Sequence, residues 1–306
     1  MKTAVIEPVI VEEPAIPGTI LRNRALSDFA ELVKVRLTLL VLVTTAVGFD
    51  LGWQGTMNYL ALFHAVLGTA LAAGGAAALN QWWERKLDAI MNRTRLRPIP
   101  AGRMLPRDGL IAGILLAISG VLYLSIVCNW LSAALAAGTV IIYIFAYTPL
   151  KQISTTNTLV GAIAGAIPPL IGWAAARGEL NAGAWSLFAI LFVWQMPHFF
   201  ALAWMYRKDY ARAGFRMVSS DDESGGRSSS QSVLFCMLLL IVGGIPTYLG
   251  LTSPLYLAIA FALGGSFIAV AMRFHRLRTA RDARLLFLAS IIYLPLLLGA
   301  LVLTKA

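Results

Sequence analysis

Nine stretches of this sequence are apolar over about 20 residues, the length that a helix needs to cross the hydrocarbon of a bilayer. They lie at residues 37–54, 58–80, 109–128, 130–148, 156–175, 183–206, 232–251, 254–272 and 285–304. Charged residues make up 13% of the chain and hydrophobic residues 58%, whereas a soluble domain carries about 25% charged residues. The sequence therefore predicts an all-α membrane protein with nine transmembrane helices.

The first 25 residues form a separate region. They contain three prolines and several glutamates, and their apolar residues do not recur at a regular spacing. We therefore predict a flexible cytoplasmic tail. This region lacks the basic start and small-residue cleavage site of a signal peptide, and its glutamates are unlike a transit peptide. Residues 26–306 are predicted to form the nine-helix domain, introduced by a short amphipathic helix from Ala25 to Val35.

Basic residues sort to alternate connections between the nine spans. Of the 25 Lys and Arg residues, 23 lie in the N-terminal region or after the second, fourth, sixth and eighth spans. The remaining two, Arg177 and Lys305, follow the fifth and the ninth spans. Because positive residues mark cytoplasmic connections, the N-terminus is predicted to be cytoplasmic and the C-terminus outside. The net charge of +10 is spread over five segments as an orientation signal, which argues against a nucleic-acid binder.

The most charged stretch begins where the second span ends, at residues 80–100. Asn80, Glu84 and Asp88 are spaced by four residues, so on a helix they differ by about 40° per step and share one face. An amide and two carboxylates stacked in this way offer the hard oxygen ligands that suit Mg²⁺. The three residues are therefore candidate catalytic residues and metal ligands. A loop that merely orients the protein would explain the nearby arginines but not this face.

Several cations accompany the three oxygen-bearing residues. Arg93 and Arg97 follow them, and Lys151 is the lone cation of the connection after the fourth span. A guanidinium fork holds phosphate oxygens in a bidentate manner, and a divalent metal bridges the others. The combination is typical of a site that binds a metal–diphosphate complex at the membrane boundary.

A second polar group lies in and after the sixth span. Gln195, Pro197 and His198 interrupt an apolar stretch, and polar side chains at membrane depth are costly unless they face a cavity. His198 either packs between helices through a hydrogen bond or lines a reaction cavity. Lys208 and Asp209 follow the span, either as an ordinary basic helix end or as a second contact to metal or diphosphate.

The stretch from Ser219 to Ser232 is rich in serine and glycine. This composition is typical of loops, and we predict a mobile one. Asp221, Asp222 and Glu223 in this loop are expected to be solvated rather than to bind a metal.

Six motifs taken together resemble the UbiA superfamily of intramembrane prenyltransferases. They are N-x₃-E-x₃-D-x₂-M-x-R-T-x₂-R-P at 80–98, YTPLK at 147–151, GAIPPLIGW at 165–173, WQMPHF at 194–199, KDY at 208–210 and ARLLFLASIIYLP at 283–295. The resemblance covers about residues 30 to 300, and the first and fourth motifs are similar to the branch that modifies haem. The chain departs from the family in three ways, one of which is that Gln81 replaces a second Asn. Many members carry Asp where Glu84 stands, and quinone-type members carry two acids where Asp209 stands alone.

This resemblance implies a nine-helix UbiA-type bundle whose cavity opens to the cytoplasm and laterally to lipid. It implies farnesyl diphosphate as donor, haem B as acceptor and Mg²⁺ as cofactor, with haem O and pyrophosphate as products. Asn80, Glu84 and Asp88 would hold the metal. The diphosphate would be bound by Arg93, Arg97, Lys151, Lys208 and Asp209. His198 would be catalytic, as a contact to haem or as a proton handler.

Two other activities stay open at this point. One is a prenyltransferase of the same superfamily that acts on a quinone precursor or another aromatic acceptor. The other is a membrane transporter or haem-binding protein, because transporters also carry polar residues near the membrane midplane. The expected location is a bacterial inner (plasma) membrane, with the active site facing the cytoplasm. A haem A synthase or a terminal oxidase assembly is the expected recipient of the product.

Overall fold

The structure, a computed structural model, describes residues 18–306, with side chains from residue 24. Residues 1–17 of the predicted tail lie outside the described residues. The first helix, α1 (Gly18–Leu32), contains most of the predicted amphipathic segment. It ends before Lys34, whose φ of 51° lies in the left-handed region that interrupts a helix. A new helix starts directly afterwards, at Val35.

Within residues 18–306, nine helical segments are long and apolar enough to cross a membrane, as predicted. They run over Val35–Gly52, Tyr59–Asp88, Pro106–Cys128, Trp130–Ile153, Asn157–Arg177, Ala182–Met205, Gly226–Tyr248, Pro254–Leu277 and Ala280–Leu303. The largest difference from the prediction concerns the second span, which continues beyond residue 80 to Asp88. This extension keeps the candidate metal ligands on a continuous helix.

Thirteen α-helices follow α1, and all of them except α10 lie within these segments. They are α2 (Val35–Gly52), α3 (Tyr59–Asp88), α4 (Pro106–Tyr123), α5 (Trp130–Ile141), α6 (Thr148–Ile153), α7 (Asn157–Ala166), α8 (Pro168–Arg177), α9 (Ala182–Met205), α10 (Arg207–Arg212), α11 (Gly226–Gly243), α12 (Ile245–Tyr248), α13 (Pro254–Leu277) and α14 (Ala280–Leu303). Pro168 begins α8 and so divides the fifth span, because proline lacks the N–H that would continue the ladder of hydrogen bonds. A π-helical segment, Ile142–Tyr147, joins α5 to α6.

Hydrogen bonds join the basic ends of the helices on one side of the bundle. Lys34, before α2, contacts Asn80 near the end of α3, and Trp204 near the end of α9 donates to the carbonyl oxygen of Arg278 after α13. On the opposite side, Arg177 at the end of α8 donates to the carbonyl oxygen of a residue at the end of α2. These are the two sets of ends that the charge sorting assigned to opposite sides of the membrane.

Small residues allow α2 and α8 to pack closely. A Cβ atom on Gly48 of α2 would lie 2.0 Å from the carbonyl oxygen of Pro169, and one on Gly172 of α8 would lie 1.9 Å from that of Thr45. Backbones that approach this closely leave no room for a side chain, as is common between membrane helices. Large side chains such as the fully buried Trp173 fill the interior beside this contact.

Candidate active site

Asn80, Glu84 and Asp88 lie on one face of the last turns of α3, and we call them the oxygen ladder. Their exposed fractions are 1%, 4% and 2%. All three border one cavity of about 140 Å³. The predicted shared face is therefore present, and it is turned into the protein rather than toward water.

Each member of the oxygen ladder is paired with a cation from a different part of the chain. Lys34 Nζ lies 2.7 Å from Asn80 Oδ1, and Lys151 Nζ lies 2.8 Å from Glu84 Oε1. The third pair joins Arg97 Nη1 to Asp88 Oδ2 at 2.7 Å. Each carboxylate uses one oxygen in its ion pair, so the other oxygen is not engaged by that cation.

The cavity is more cationic than the oxygen ladder alone suggests. Its lining consists of Lys34, Asn80, Glu84, Asp88, Met91, Arg93, Arg97, Tyr143, Tyr147, Lys151, Leu202, Tyr210, Phe215 and Met217. Four cations therefore face two carboxylates in a small, largely enclosed space. Such a balance favours a polyanionic occupant, and a diphosphate that carries a divalent cation has the matching charge and size.

Aromatic rings support two of the cations. Lys151 Nζ lies 4.4 Å from the centroid of the Tyr147 ring. The guanidinium of Arg93 lies 4.8 Å from the ring centroid of Tyr206 and donates a 3.1 Å hydrogen bond to the hydroxyl of Tyr210. Cation–π contacts and this hydrogen bond orient both side chains where they border the cavity.

The π-helical segment between α5 and α6 contributes two rings to the cavity. Tyr143 and Tyr147 both lie in this segment and stack with ring centroids 5.2 Å apart. Thr148 follows directly, and its hydroxyl accepts a 3.2 Å hydrogen bond from the amide of Asn80. Insertions of this kind often accompany functional sites, because they re-aim side chains that a regular helix would direct elsewhere.

Asp209 holds the loop that follows α3. Its two carboxylate oxygens accept hydrogen bonds from the backbone amides of Asn92 (3.0 Å) and Arg93 (3.3 Å), and Arg212 Nη1 lies 3.4 Å away. Asp209 is buried but does not border the cavity, and the neighbouring Lys208 is exposed to solvent. The structure therefore does not bring either residue to the oxygen ladder.

His198 does not itself border the cavity, although Leu202, one turn further along α9, does. Its Nδ1 is 2.8 Å from the hydroxyl of Ser290 on α14, and its ring lies against those of Trp194 and Phe287. Nearby in α9, the amide of Gln195 donates to the carbonyl oxygens of Ala162 and Leu191. These contacts correspond to the helix-packing alternative for His198.

Four polar residues that border the cavity were not among the sequence-based candidates. Lys34 was counted only as an orientation signal, and Tyr143, Tyr147 and Tyr210 were not assigned a role. The YTPLK motif contains Tyr147, and the KDY motif contains Tyr210, so both motifs held a signal for these residues. No signal in the sequence identified Lys34, because its contact with Asn80 joins positions that are 46 residues apart.

The expectation that Asp222 is solvated is wrong, whereas Asp221 and Glu223 are exposed as expected. Asp222 is 5% exposed and accepts hydrogen bonds from the backbone amides of Arg227 (3.2 Å) and Ser228 (2.7 Å). Burial alone would raise the pKa of this carboxyl, but the amide hydrogen bonds outweigh it and lower the pKa. Asp222 thus caps the start of α11.

The donor set of the oxygen ladder fits a hard divalent cation. One amide oxygen and two carboxylates project from successive turns of one helix, and oxygen ligands of this kind suit Mg²⁺. Across residues 18–306, no three His, Cys, Asp or Glu side chains come together as a metal site. The two carboxylates and the amide oxygen of Asn80 could hold the ion, and diphosphate oxygens would complete its coordination.

The oxygen ladder is buried and ringed by cations within the bundle that the nine membrane-length segments of residues 18–306 form. The chain belongs to the UbiA prenyltransferase family, whose model matches residues 41–294. Membership makes this protein a prenyltransferase and agrees with the resemblance found in the sequence motifs. It does not support the transporter or haem-binding alternative.

Several relatives share much of the chain's sequence. Protoheme IX farnesyltransferase of Solibacter usitatus is 42% identical over 287 residues, which cover 91% of this chain and 98% of that protein. The enzyme of the same name from Opitutus terrae is 44% identical over 284 residues, covering 92% and 96%. The mitochondrial one of Arabidopsis thaliana is 39% identical over 276 residues, covering 90% of this chain and 64% of that protein.

Solved structures share the fold at much lower identity. A digeranylgeranylglyceryl phosphate synthase superposes with a TM-score of 0.76 at 14% identity, covering 91% of this chain and 98% of that one. A UbiA homolog from Archaeoglobus fulgidus bound to GPP and Mg²⁺ gives a TM-score of 0.61 at 13% identity, covering 90% and 100%. The predicted UbiA-type bundle is thereby confirmed.

Proposed function

We propose that this protein transfers the farnesyl group of farnesyl diphosphate to a vinyl group of haem B. Water adds in the same reaction, and the products are haem O and pyrophosphate. The near-full-length identity of about 40% to protoheme IX farnesyltransferases supports the donor and the acceptor. The observation that carries the site assignment is the pairing of each ladder residue with its own cation inside one cavity.

The diphosphate of the donor would lie in the cationic cavity. Arg93, Arg97 and Lys151 border it and would neutralise the charge that develops on the leaving pyrophosphate. Asn80, Glu84 and Asp88 would hold Mg²⁺, which when bound supplies positive charge to the diphosphate oxygens. The related Archaeoglobus structure contains both GPP and Mg²⁺, which supports a shared binding mode.

Loss of pyrophosphate would leave an allylic cation, which a haem vinyl group would attack. Water would then capture the resulting cation on the porphyrin side and lose a proton to the released pyrophosphate, which leaves a hydroxyl group. The chain's part in this step is to exclude other water with its apolar helices. The rings of Tyr143, Tyr147 and Tyr210 border the cavity and would stabilise a carbocation through their faces.

Three residues of the sequence-based site keep their roles as predictions. Lys208 and Asp209 both lie in α10, directly after α9, where they would assist when the diphosphate approaches. His198 would act as a haem contact or a proton handler from its position against α14. Product transfer to a haem A synthase or a terminal oxidase assembly likewise stays a prediction.

A turnover assay tests this function. The purified full-length protein receives haem B, farnesyl diphosphate and Mg²⁺, and the porphyrins are separated by chromatography with mass detection. We expect a farnesylated, hydrated haem that disappears when Mg²⁺ is chelated and returns when it is restored. Pyrophosphate release with a quinone precursor and no haem product would instead assign the chain to the quinone branch.

The cavity is proposed to face the cytoplasm of a bacterial inner (plasma) membrane, because it lies among the basic helix ends. Labelling of single cysteines tests this orientation in a background without Cys128 and Cys236. A cysteine replacing the exposed Lys208 should react with an impermeant reagent only after the cells are opened. One replacing the exposed Gln54, on the opposite side, should react in intact cells. The reverse pattern would overturn the orientation.

A further inference from the structure

The turn between α13 and α14 carries a basic cluster that the cavity does not use. Its members are Arg273, Arg276, Arg278, Arg281 and Arg284, and all of them are exposed. The acid within this turn, Asp282, is buried and accepts a 2.8 Å hydrogen bond from Arg273 Nε. Five cations therefore face a single carboxylate, which is already paired. A positive excess of this size at a membrane boundary attracts anions.

Two of these arginines border a shallow, open groove on the surface of α13, near the end of this helix. The groove is lined by Ala269, Met272, Arg273, Arg276 and Leu277. These positions recur every three or four residues and so form one stripe on the helix. At 1.5 Å per residue, Ala269 lies about 6 Å deeper in the bilayer than Arg273. The groove thus has an apolar part within the membrane and a cationic end at its surface.

Arg273 is held in place before any ligand arrives. Its side chain is 54% exposed, whereas that of its partner Asp282 is 4% exposed. Thr279 also donates a hydrogen bond to Asp282, so the carboxylate is fixed from two sides. Arg273 uses Nε in this pair, and its two terminal nitrogens take no part in it. A fixed guanidinium loses little freedom on binding, and its planar fork matches phosphate oxygens.

We propose that this groove, which we call the α13 groove, binds one anionic phospholipid. The phosphate lies against Arg273 and Arg276, and the start of an acyl chain follows Ala269 and Met272 toward the bilayer interior. An orientation signal would explain the five arginines, but it requires neither the adjoining apolar groove nor the fixed position of Arg273. A zwitterionic lipid fits less well, because its ammonium group would lie among these cations.

Native mass spectrometry of the purified full-length protein tests this proposal. Phosphatidylglycerol and phosphatidylcholine with identical acyl chains are titrated separately, and the dissociation constant of the first adduct is compared. We expect phosphatidylglycerol to bind about tenfold more tightly, a difference of about 1.4 kcal/mol. Arg276→Gln should remove most of this preference, whereas Arg284→Gln removes the same charge outside the groove and should change it by less than about twofold.

A second variant distinguishes the contribution of the apolar groove to lipid binding from that of the arginine charges. Met272→Trp fills the apolar part and leaves every arginine in place, and it should also abolish the tight first adduct. Equal affinity for the two lipids would overturn the proposal, as would equal losses in Arg276→Gln and Arg284→Gln. Displacement of phosphatidylglycerol by millimolar inorganic phosphate would also overturn it, because the site would then recognise phosphate alone.

Discussion

Lys34 Nζ donates a 2.7 Å hydrogen bond to Asn80 Oδ1, which lies 46 positions further along the chain. Lys34 reaches this contact from a left-handed backbone conformation, which costs about 1 to 2 kcal/mol for a residue with a side chain. Burial, reinforced by the charge of Arg97, lowers the pKa of Lys34 to about 7. An ammonium ion that is destabilised in this way becomes more stable when an anion enters the cavity.

Replacing Lys34 by Met should therefore weaken binding of the prenyl diphosphate. We expect kcat/KM for farnesyl diphosphate to fall about tenfold, mainly through a higher KM, because a charge-assisted contact is lost. Arg36→Met removes an exposed cation two residues away and serves as the control. Equal kinetics in both variants would show that Lys34 plays no part in binding.

Replacing Asp88 by Ala should abolish turnover while the protein remains inserted in the membrane. The variant loses a ladder carboxylate and leaves Arg97 without its partner, so we expect haem O formation to fall at least about 100-fold. The matched control is Asp221→Ala, which removes an exposed carboxylate. Chromatography of the porphyrin products measures the effect, and normal haem O formation by Asp88→Ala would contradict the metal assignment.

Arg97 and Arg95 allow a comparison within one loop. Arg97 borders the cavity and pairs with Asp88, whereas Arg95 is exposed and does not border it. We expect Arg97→Gln to reduce kcat about 10- to 100-fold, because the charge on the leaving pyrophosphate is less well neutralised. Arg95→Gln should leave steady-state kinetics within about twofold. Similar losses in both variants would point to the overall charge of the loop instead.

Asp222→Ala should lower the thermal midpoint, because two backbone amides at the start of α11 lose their acceptor. The expected loss of stability is about 1 kcal/mol, and Asp222→Asn should restore part of it, since an amide oxygen also caps a helix. The folded pKa lies below the usual 3.8, so this stabilisation is fully present above pH 3.8 and is lost as the pH falls through the folded pKa. A midpoint difference that vanished between pH 5 and 8 would contradict the capping role.

His198→Ala discriminates between packing and chemistry. The hydrogen bond to Ser290 and the contacts with Trp194 and Phe287 predict a loss of about 1 to 3 kcal/mol in stability. Ser290→Ala should reproduce part of this loss. Haem binding is followed by absorption spectroscopy in both variants at a temperature where they remain folded. A changed haem spectrum in His198→Ala alone would assign the haem contact to this residue.

The pattern of the sequence was enough to predict most of the fold. The length of each apolar stretch predicts a span, because a chain segment in the bilayer must form a helix to satisfy its backbone hydrogen bonds. The basic residues predict which connections lie on the same side of the membrane. The four-residue spacing of Asn80, Glu84 and Asp88 likewise predicts one face, because helix periodicity is a local property. The motifs around them were specific enough to indicate the family.

Tertiary structure decided which partners the oxygen ladder receives and which candidates lie apart from it. Lys34 and Lys151 reach the ladder through helix packing across long stretches of chain, and no local pattern encodes such a contact. The same packing turns His198 toward α14 and uses Asp209 to hold the loop after α3. Sequence alone determined the bundle and its oxygen ladder, because both follow from local periodicity and from the bilayer. The composition of the cavity required the folded chain, because it depends on how distant helix ends meet.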